Sequence, residues 1–348
     1  MLEQHFATCM RALLAPAPFS PAPCLAVAVS GGADSMACVL LADAWARAHG
    51  GSVTALTVDH GLRAESREEA ERVAAWMSAR GITHRILTPA HPHASNNLQE
   101  TARSWRYDAL AADCAAHGML HCLIAHHRGD NRETVAMMMA RGDTADGAAG
   151  MSAVRNYRGV RFLRPLLGVE KDALVDYLYH QNAAWIEDPS NANADFARVR
   201  MRKNMSESQA LRAEIDAMLA TQAPAREARE KAQAAIAAQC VTIHPHGGAT
   251  IDLATWRALD PAVASGLLAD TLRTIGQRTH RPRAHETARL AMALQGTMKK
   301  RTLHGCEIDL HGGVIRIVRE RRARESRAIV NPFSPPKPLA AAAFWWLK

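Results

Sequence analysis

No C-x-x-C pair occurs in this sequence, and its seven cysteines (Cys9, Cys24, Cys38, Cys114, Cys122, Cys240 and Cys306) are scattered and odd in number. That argues against a disulfide framework and a zinc knuckle. No H-E-x-x-H spacing is present either, so no structural zinc is expected. Long hydrophobic runs are missing too. The N-terminal stretch carries Glu3 and Arg11, unlike a signal peptide, and the run Leu339 to Leu347 falls short of the ~20 residues a membrane span needs. The chain therefore reads as cytoplasmic, with no membrane partner. G-x-x-x-x-G-K-S/T is absent, which excludes a Walker-type NTPase; G-x-G-x-x-G is absent, which excludes the usual dinucleotide fold. No internal repeat is visible.

What is present suits a soluble protein of two or three domains: 348 residues, 48% apolar and 22% charged. A net charge of +8 favours an anionic partner, nucleic acid among them.

The first half alternates short apolar runs with amphipathic segments. Residues 25–29, 53–58, 83–87 and 120–125 read as buried strands; 34–49, 65–80 and 98–117 read as helices. That alternation predicts an α/β fold with a doubly wound, Rossmann-like parallel sheet. Ligands of such sheets gather at the carboxyl ends of the strands. A hairpin over 154–167, turning near Arg158-Gly159, precedes a helix over 170–182, and another helix is expected near Asp195. The predicted organisation is a catalytic domain over 1–215, a helical linker over 216–248, a small α+β domain over 249–330 and a tail over 331–348. Within the small domain the pattern predicts strands over 250–253, 301–308 and 314–319, and helices over 261–276 and 283–294.

The first predicted strand runs into Ser30-Gly31-Gly32-Ala33-Asp34-Ser35. Glycines let the backbone approach a polyanion, and the helix that follows presents free N–H groups and a positive dipole end. The bland alternative is a glycine turn with Asp34 or Ser35 as an N-cap. Asp59 and His60 end the second strand, on the same edge. On the helix over 98–117, Gln99, Arg103 and Arg106 share one polar face, either solvated or phosphate-binding. The fourth strand ends in Ala125-His126-His127-Arg128-Gly129-Asp130-Asn131-Arg132-Glu133-Thr134. There Asp130 is expected to cap a helix, with Glu133 completing a capping box; the same groups also suit metal binding or acid–base work beside ATP. Arg141-Gly142-Asp143, a glycine-rich Gly147 to Met151, and Asp188-Pro189-Ser190-Asn191 with Arg198, Arg200, Arg202 and Lys203 follow.

S-G-G-x-D-S resembles the PP-loop of the N-type ATP pyrophosphatases, which cleave ATP to AMP and pyrophosphate. Taken with the later blocks V-D-H-G-L-R, Q-E-x-A-R-x-x-R-Y, H-H-x-D, R-G with G-M, R-P-L-L (Arg164 to Leu167) and D-P-S-N, the sequence resembles the tRNA(Ile)-lysidine synthetase family. Gly129 stands where that pattern has an aspartate, Asn131 where it has a glutamine, Asn193 where it has an aspartate and Val199 where it has an asparagine.

The resemblance implies an ATP-dependent ligase. Cytidine 34 of an isoleucine tRNA with a CAU anticodon is adenylated, and L-lysine then displaces AMP to give lysidine. On that reading Ser30, Gly31, Gly32, Ala33, Asp34, Ser35 and Asp59 bind ATP, and Asp34 and Asp130 hold Mg²⁺. Asp34, Arg103, His126 and Asp130 are catalytic, His126 or Asp130 helping the lysine amine lose its proton. Candidate tRNA contacts are Arg106, Arg141, Arg198, Arg200, Arg202, Arg316 and Arg319, within or beside basic stretches that include 278–289 and 316–327. A PP-loop tRNA thiolase and a non-catalytic tRNA- or nucleotide-binding protein are the rival readings. The number of copies in the working assembly is left open, a homodimer included.

Overall fold

The computed structural model describes residues 1–14, 22–59, 61, 65–88, 98–140, 149–187, 208–244, 247–278, 280–298 and 300–320, with backbone alone at 65 and 98–102. Asp188 to Lys203, Arg141, His60 and the tail lie outside them. The chain divides into two compact units, Met1–Arg226 and Glu227–Lys348.

The first unit holds helices α1 (Leu2–Leu14), α2 (Ala33–Ala48), α3 (Glu65–Ala79), α4 (Leu98–Ala116), α5 (Arg128–Met139) and α6 (Lys171–His180). Its strands are β1 (Cys24–Ala28), β2 (Ser52–Val58), β3 (Thr83–Leu87), β4 (His121–Leu123), β5 (Val154–Tyr157) and β6 (Val160–Leu163). They form one sheet in the order β3-β2-β1-β4-β6-β5. The first five run parallel, and β5 pairs antiparallel with β6 at the edge.

A parallel sheet buries both faces, and β1 is accordingly apolar without alternation: Leu25, Ala26 and Val27 are all buried. One face is covered by α2, with Phe6, Met10 and Leu14 of α1 and Leu174 and Leu178 of α6 in the same core. Each such large side chain contributes about 1.5–3 kcal/mol on full burial. The other face is covered by α4, whose Tyr107, Leu110, Ala111 and Cys114 meet Ala26, Leu56 and Phe162. Helix α1 has no counterpart in the strand–helix alternation, yet its buried residues fall at i, i+4 and i+8, one helical stripe. The chain leaves β1 towards β2 and β3 and returns to β4 on the other side of β1. The strand order therefore reverses at β1, and a crevice opens at the carboxyl ends of β1 and β4.

Helix α7 (Gln209–Cys240) spans the division between the units. In the first unit its Leu211, Ile215, Met218 and Leu219 pack with Val135, Ala136 and Met139 of α5.

The second unit holds β7 (Val241–His244), β8 (Gly248–Asp252), α8 (Leu253–Arg257), α9 (Pro261–Gly276), α10 (Ala284–Gln295), β9 (Lys300–Leu303), β10 (Cys306–His311) and β11 (Val314–Arg319). Its sheet is antiparallel in the order β7-β8-β11-β10-β9. Trp256, Leu267, Leu268, Leu272, Leu290 and Leu294 cover it together with Ile251, Ile308, Ile315 and Ile317. Residues 301–308, expected as one strand, are two strands of a hairpin. His304 (φ 56°) and Gly305 (φ 78°) are both left-handed, the conformation a two-residue hairpin turn requires.

Candidate active site

Ser30 to Ser35 form the turn from β1 into α2, at the strand reversal. Gly31 is left-handed (φ 89°), and a Cβ there would lie 2.7 Å from Cδ1 of Ile186. Ile186 N–H donates to the Gly31 carbonyl at 2.9 Å, fixing the loop from the segment after α6. The Ser35 hydroxyl accepts from Ser30 N–H (3.1 Å) and donates to the Gly32 carbonyl (2.9 Å), so it braces the turn internally. The N-cap of α2 is Gly32, and no side chain caps it. Neither Asp34 nor Ser35 is the cap, and the positive end of α2 is left open to an anion.

Asp59 lies at the end of β2, buried, where its Oδ1 accepts from Gly61 N–H (2.9 Å) and the Ser66 hydroxyl (2.7 Å). It ties down the loop after β2 on the same edge as the glycine turn.

The β4–α5 turn is built differently from the sequence expectation. The N-cap of α5 is His127, not Asp130: its Nδ1 accepts from Gly129 N–H at 2.9 Å. Asp130 answers from the third helical position, accepting from His127 N–H at 3.1 Å. With Nδ1 accepting, the ring proton of neutral His127 sits on Nε2. That Nε2 is 3.7 Å from Oδ2 of Asp34 and 3.7 Å from Oδ2 of Asp130, so one buried imidazole faces both carboxylates.

His126, by contrast, turns to Arg164, whose Nε donates to its Nδ1 at 3.1 Å. A guanidinium has no acceptor, so this Nδ1 is unprotonated. Arg164 is buried, donates to the Ser152 carbonyl as well, and reaches the Tyr107 hydroxyl at 3.5 Å. Burial holds its pKa below the usual arginine value.

Arg103 and Arg155 both lie over the Tyr107 ring, at 5.6 and 4.5 Å from its centroid. Arg106 is exposed on α4, and Arg103 is half-buried. Asn131 accepts from Met151 N–H at 2.7 Å, while Arg226 of α7 donates to the carbonyls of Gly150 (2.7 Å) and Met151 (2.9 Å). In the second unit, Arg316 is forked onto Asp309, its cross-strand neighbour, and Arg319 donates to Gln277 at 3.1 Å.

The structure thus brings Asp34, Asp130 and the glycine turn together, and links Arg103 to His126 through Tyr107 and Arg164. His127, Arg155, Arg164 and Arg226 were not singled out from sequence. For Arg164 the signal was its place in an R-P-L-L block directly after a strand, and for His127 its place in the H-H-x-D block; for Arg155 and Arg226 no local pattern pointed to them.

Among the described residues no group of three or more His, Cys, Asp or Glu is arranged to hold a metal ion, and no helix is long and apolar enough to cross a membrane. Two carboxylates that each lie 3.7 Å from the same imidazole nitrogen nonetheless suit Mg²⁺, which takes one or two carboxylates and completes its shell with phosphates and water.

An uncapped helix start after a glycine turn, at the reversal of a parallel sheet and flanked by carboxylates, defines an α/β domain that grips a nucleotide by its phosphates. The sequence model of the PP-loop domain family (ATP_bind_3) matches residues 2–209. A tRNA(Ile)-lysidine synthase of Ruegeria pomeroyi is 33% identical over 308 residues, covering 88% of this chain and 73% of that protein. One from Anaplasma marginale is 32% identical over 309 residues, and there the chain spans 66% of the relative's length. The chain belongs to the PP-loop family and, within it, to the tRNA(Ile)-lysidine synthases. A U34-tRNA thiolase from Methanococcus maripaludis shares the fold, with a TM-score of 0.53 at 15% identity over 64% of this chain and 78% of that one.

Proposed function

We propose that this chain makes lysidine. ATP binds with its phosphates against the open start of α2, and the 2-oxygen of cytidine 34 in an isoleucine tRNA (CAU anticodon) attacks the α-phosphorus. Pyrophosphate leaves. The ε-amine of L-lysine, having lost one proton, then attacks C2 of the activated base, AMP departs with the oxygen, and the nitrogen loses a second proton to leave the C2–NH bond of lysidine.

The observation that carries this reading is the pairing of the uncapped α2 start with Asp34 and Asp130, both facing His127. Asp34 and Asp130 are the residues that would hold Mg²⁺, which neutralises charge gathering at phosphorus. Of the two candidates for helping the lysine amine lose its proton, Asp130 is the base. His126 spends Nδ1 on Arg164, so in its neutral form Nε2 carries the proton and donates. Arg103, with Arg155 beside it, offers positive charge to a phosphate of ATP or tRNA.

Five of the seven cysteines offer nothing to the sulfur-transfer alternative: Cys38, Cys114, Cys122, Cys240 and Cys306 are buried, and burial drives the Cys38 thiol up to about 12, which leaves only exposed Cys24 and half-buried Cys9. The test is multiple-turnover pyrophosphate release from ATP. Release requiring both the CAU-anticodon tRNA and L-lysine, with lysidine found in the product by mass spectrometry, is the expected result. Release that ignores lysine and requires a sulfur donor points to thiolation; no release under any combination reduces the chain to a binding module.

A further inference from the structure

Gly129 is an odd residue for its place. It occupies the second position of α5, has no positive φ to justify it, and helix propensity alone favours almost any other residue there. The space explains it. A Cβ on Gly129 would lie 2.6 Å from Cε1 and 3.1 Å from Nδ1 of His127, closer than a carbon and a ring atom approach. The obstacle is a buried ring, not the free end of a flexible chain. A side chain at 129 therefore forces the imidazole out of its present place at the helix start.

The eviction matters because of what the ring reaches. Nδ1 is committed to Gly129 N–H, which leaves Nε2 3.7 Å from a carboxylate oxygen of Asp34, on α2, and 3.7 Å from one of Asp130, on α5. These two acids come from different elements. The ring of His127 lies within 4 Å of both.

We propose that Gly129 and His127 act as a pair: glycine vacates the volume, and the imidazole it admits is a positioning residue that holds the Asp34 and Asp130 carboxylates in register across the β1–β4 crevice. Gly129 is then not a lost carboxylate. The polar edge of the His127 ring does the positioning between the two acids, and putting an aspartate back at 129 harms the site by displacing that ring. The inference rests on the adenylating activity proposed above.

The test is a double-mutant cycle on the full chain. His127→Asn keeps an oxygen able to cap α5 but is too short to reach both carboxylates. It should lower kcat for tRNA- and lysine-dependent pyrophosphate release by ~10- to 100-fold, the scale of loss for misplaced reacting groups, with KM for ATP little changed. Gly129→Ala and Gly129→Asp should each lower kcat comparably and depress Tm. Adding Gly129→Ala to His127→Asn should cost nothing further in kcat, and should recover Tm relative to Gly129→Ala alone, because the ring it collides with is gone.

The inference is overturned if His127→Asn keeps kcat within about twofold of wild type, if the two losses multiply, or if Gly129→Asp raises kcat. Should Gly129→Ala fail to fold, the double variant decides: folding with the kcat of His127→Asn supports the pair, and failure to fold rejects it. A silent wild-type protein would instead tell against the lysidine reading, while the Tm coupling between 127 and 129 would still report on the steric half of the pair.

Discussion

The glycine turn depends on a single residue more than its hydroxyls suggest. Gly31 combines a left-handed backbone with side chains on two sides, since an added Cβ would meet Ile186 Cδ1 at 2.7 Å and Val73 Cγ2 at 3.0 Å. Gly31→Ala must therefore pay both torsional strain and overpacking, roughly 1–3 kcal/mol each. We expect a lower urea midpoint and weaker ATP binding by calorimetric titration; an alanine variant that melts and binds like wild type would show the turn to be adaptable. A second residue-scale expectation concerns acid. His121, in β4, is pushed down to about 4 by burial, with Arg161 adding to the effect. Unfolded, it takes up its proton near 6.5. The unfolded chain therefore binds the proton first as pH falls, so stability is full above about 6.5 and declines toward about 4. His121→Gln should remove this component, which amounts to roughly 1–2 kcal/mol at pH 5, and urea midpoints at pH 7 and 5 measure it.

At the scale of elements, one guanidinium ties α5 to two of its neighbours at once. Arg132 forks onto Asp216 of α7 (2.8 and 2.7 Å) and onto Glu170, the N-cap of α6 (2.9 and 2.7 Å). Hydrogen bonding from Arg132 holds Asp216 below the usual carboxylate range; burial pushes Glu170 up, but Arg132 and Arg128 outweigh it and leave Glu170 low as well. Both folded values lie under the unfolded ones. The clamp therefore stabilises fully above a pH of about 4 to 4.5 and weakens as pH falls through the depressed values. Asp216→Asn should cost about 1 kcal/mol near neutrality, discounted for the partial exposure of both acids, and should speed amide exchange in the first turns of α7. Unchanged exchange there would mean that Leu211, Ile215, Met218 and Leu219 hold the helix unaided. The elements themselves were largely legible. Parallel strands are buried on both faces and read as short apolar runs, and the glycine turn sits where such a run meets a helix. What escaped the sequence were pairings between distant positions: Arg226 reaching Gly150 and Met151, Arg132 reaching Asp216, and Arg155 lying on Tyr107. The cap of α5 escaped for a local reason. His127 is an uncommon cap, and only the missing Cβ of Gly129 gives it room. The turn at His304-Gly305 was legible in principle, because Leu303 and Cys306 stand three apart and so break the period-2 alternation at the glycine.

For the whole molecule the question is how a net charge of +8 is deployed, because a tRNA anticodon arm is recognised first as a row of phosphates. Basic residues do not contribute equally. Arg316 is forked onto Asp309, and its charge is largely answered within the sheet. Arg103 and Arg155, in contrast, stack on Tyr107 with no carboxylate partner among the described residues, and their positive field is strong enough to depress buried Arg164 further. Guanidinium groups fixed over an aromatic ring, and linked through Tyr107 and Arg164 to the end of β4, suit a phosphodiester flanking the target base. A charge that ion-pairs internally adds little to counterion release, while an uncompensated one that meets a phosphate adds close to one ion. Arg155→Ala should therefore lower the slope of log K for tRNA against log salt by about 1. Arg319→Ala, in a basic stretch expected to contact tRNA, should lower it as well. Arg316→Ala should change the slope by clearly less. Filter binding of the CAU-anticodon tRNA across a salt series distinguishes these cases. Equal slope changes for all three variants would mean that net charge, rather than the placement of particular arginines, sets how this protein meets its RNA.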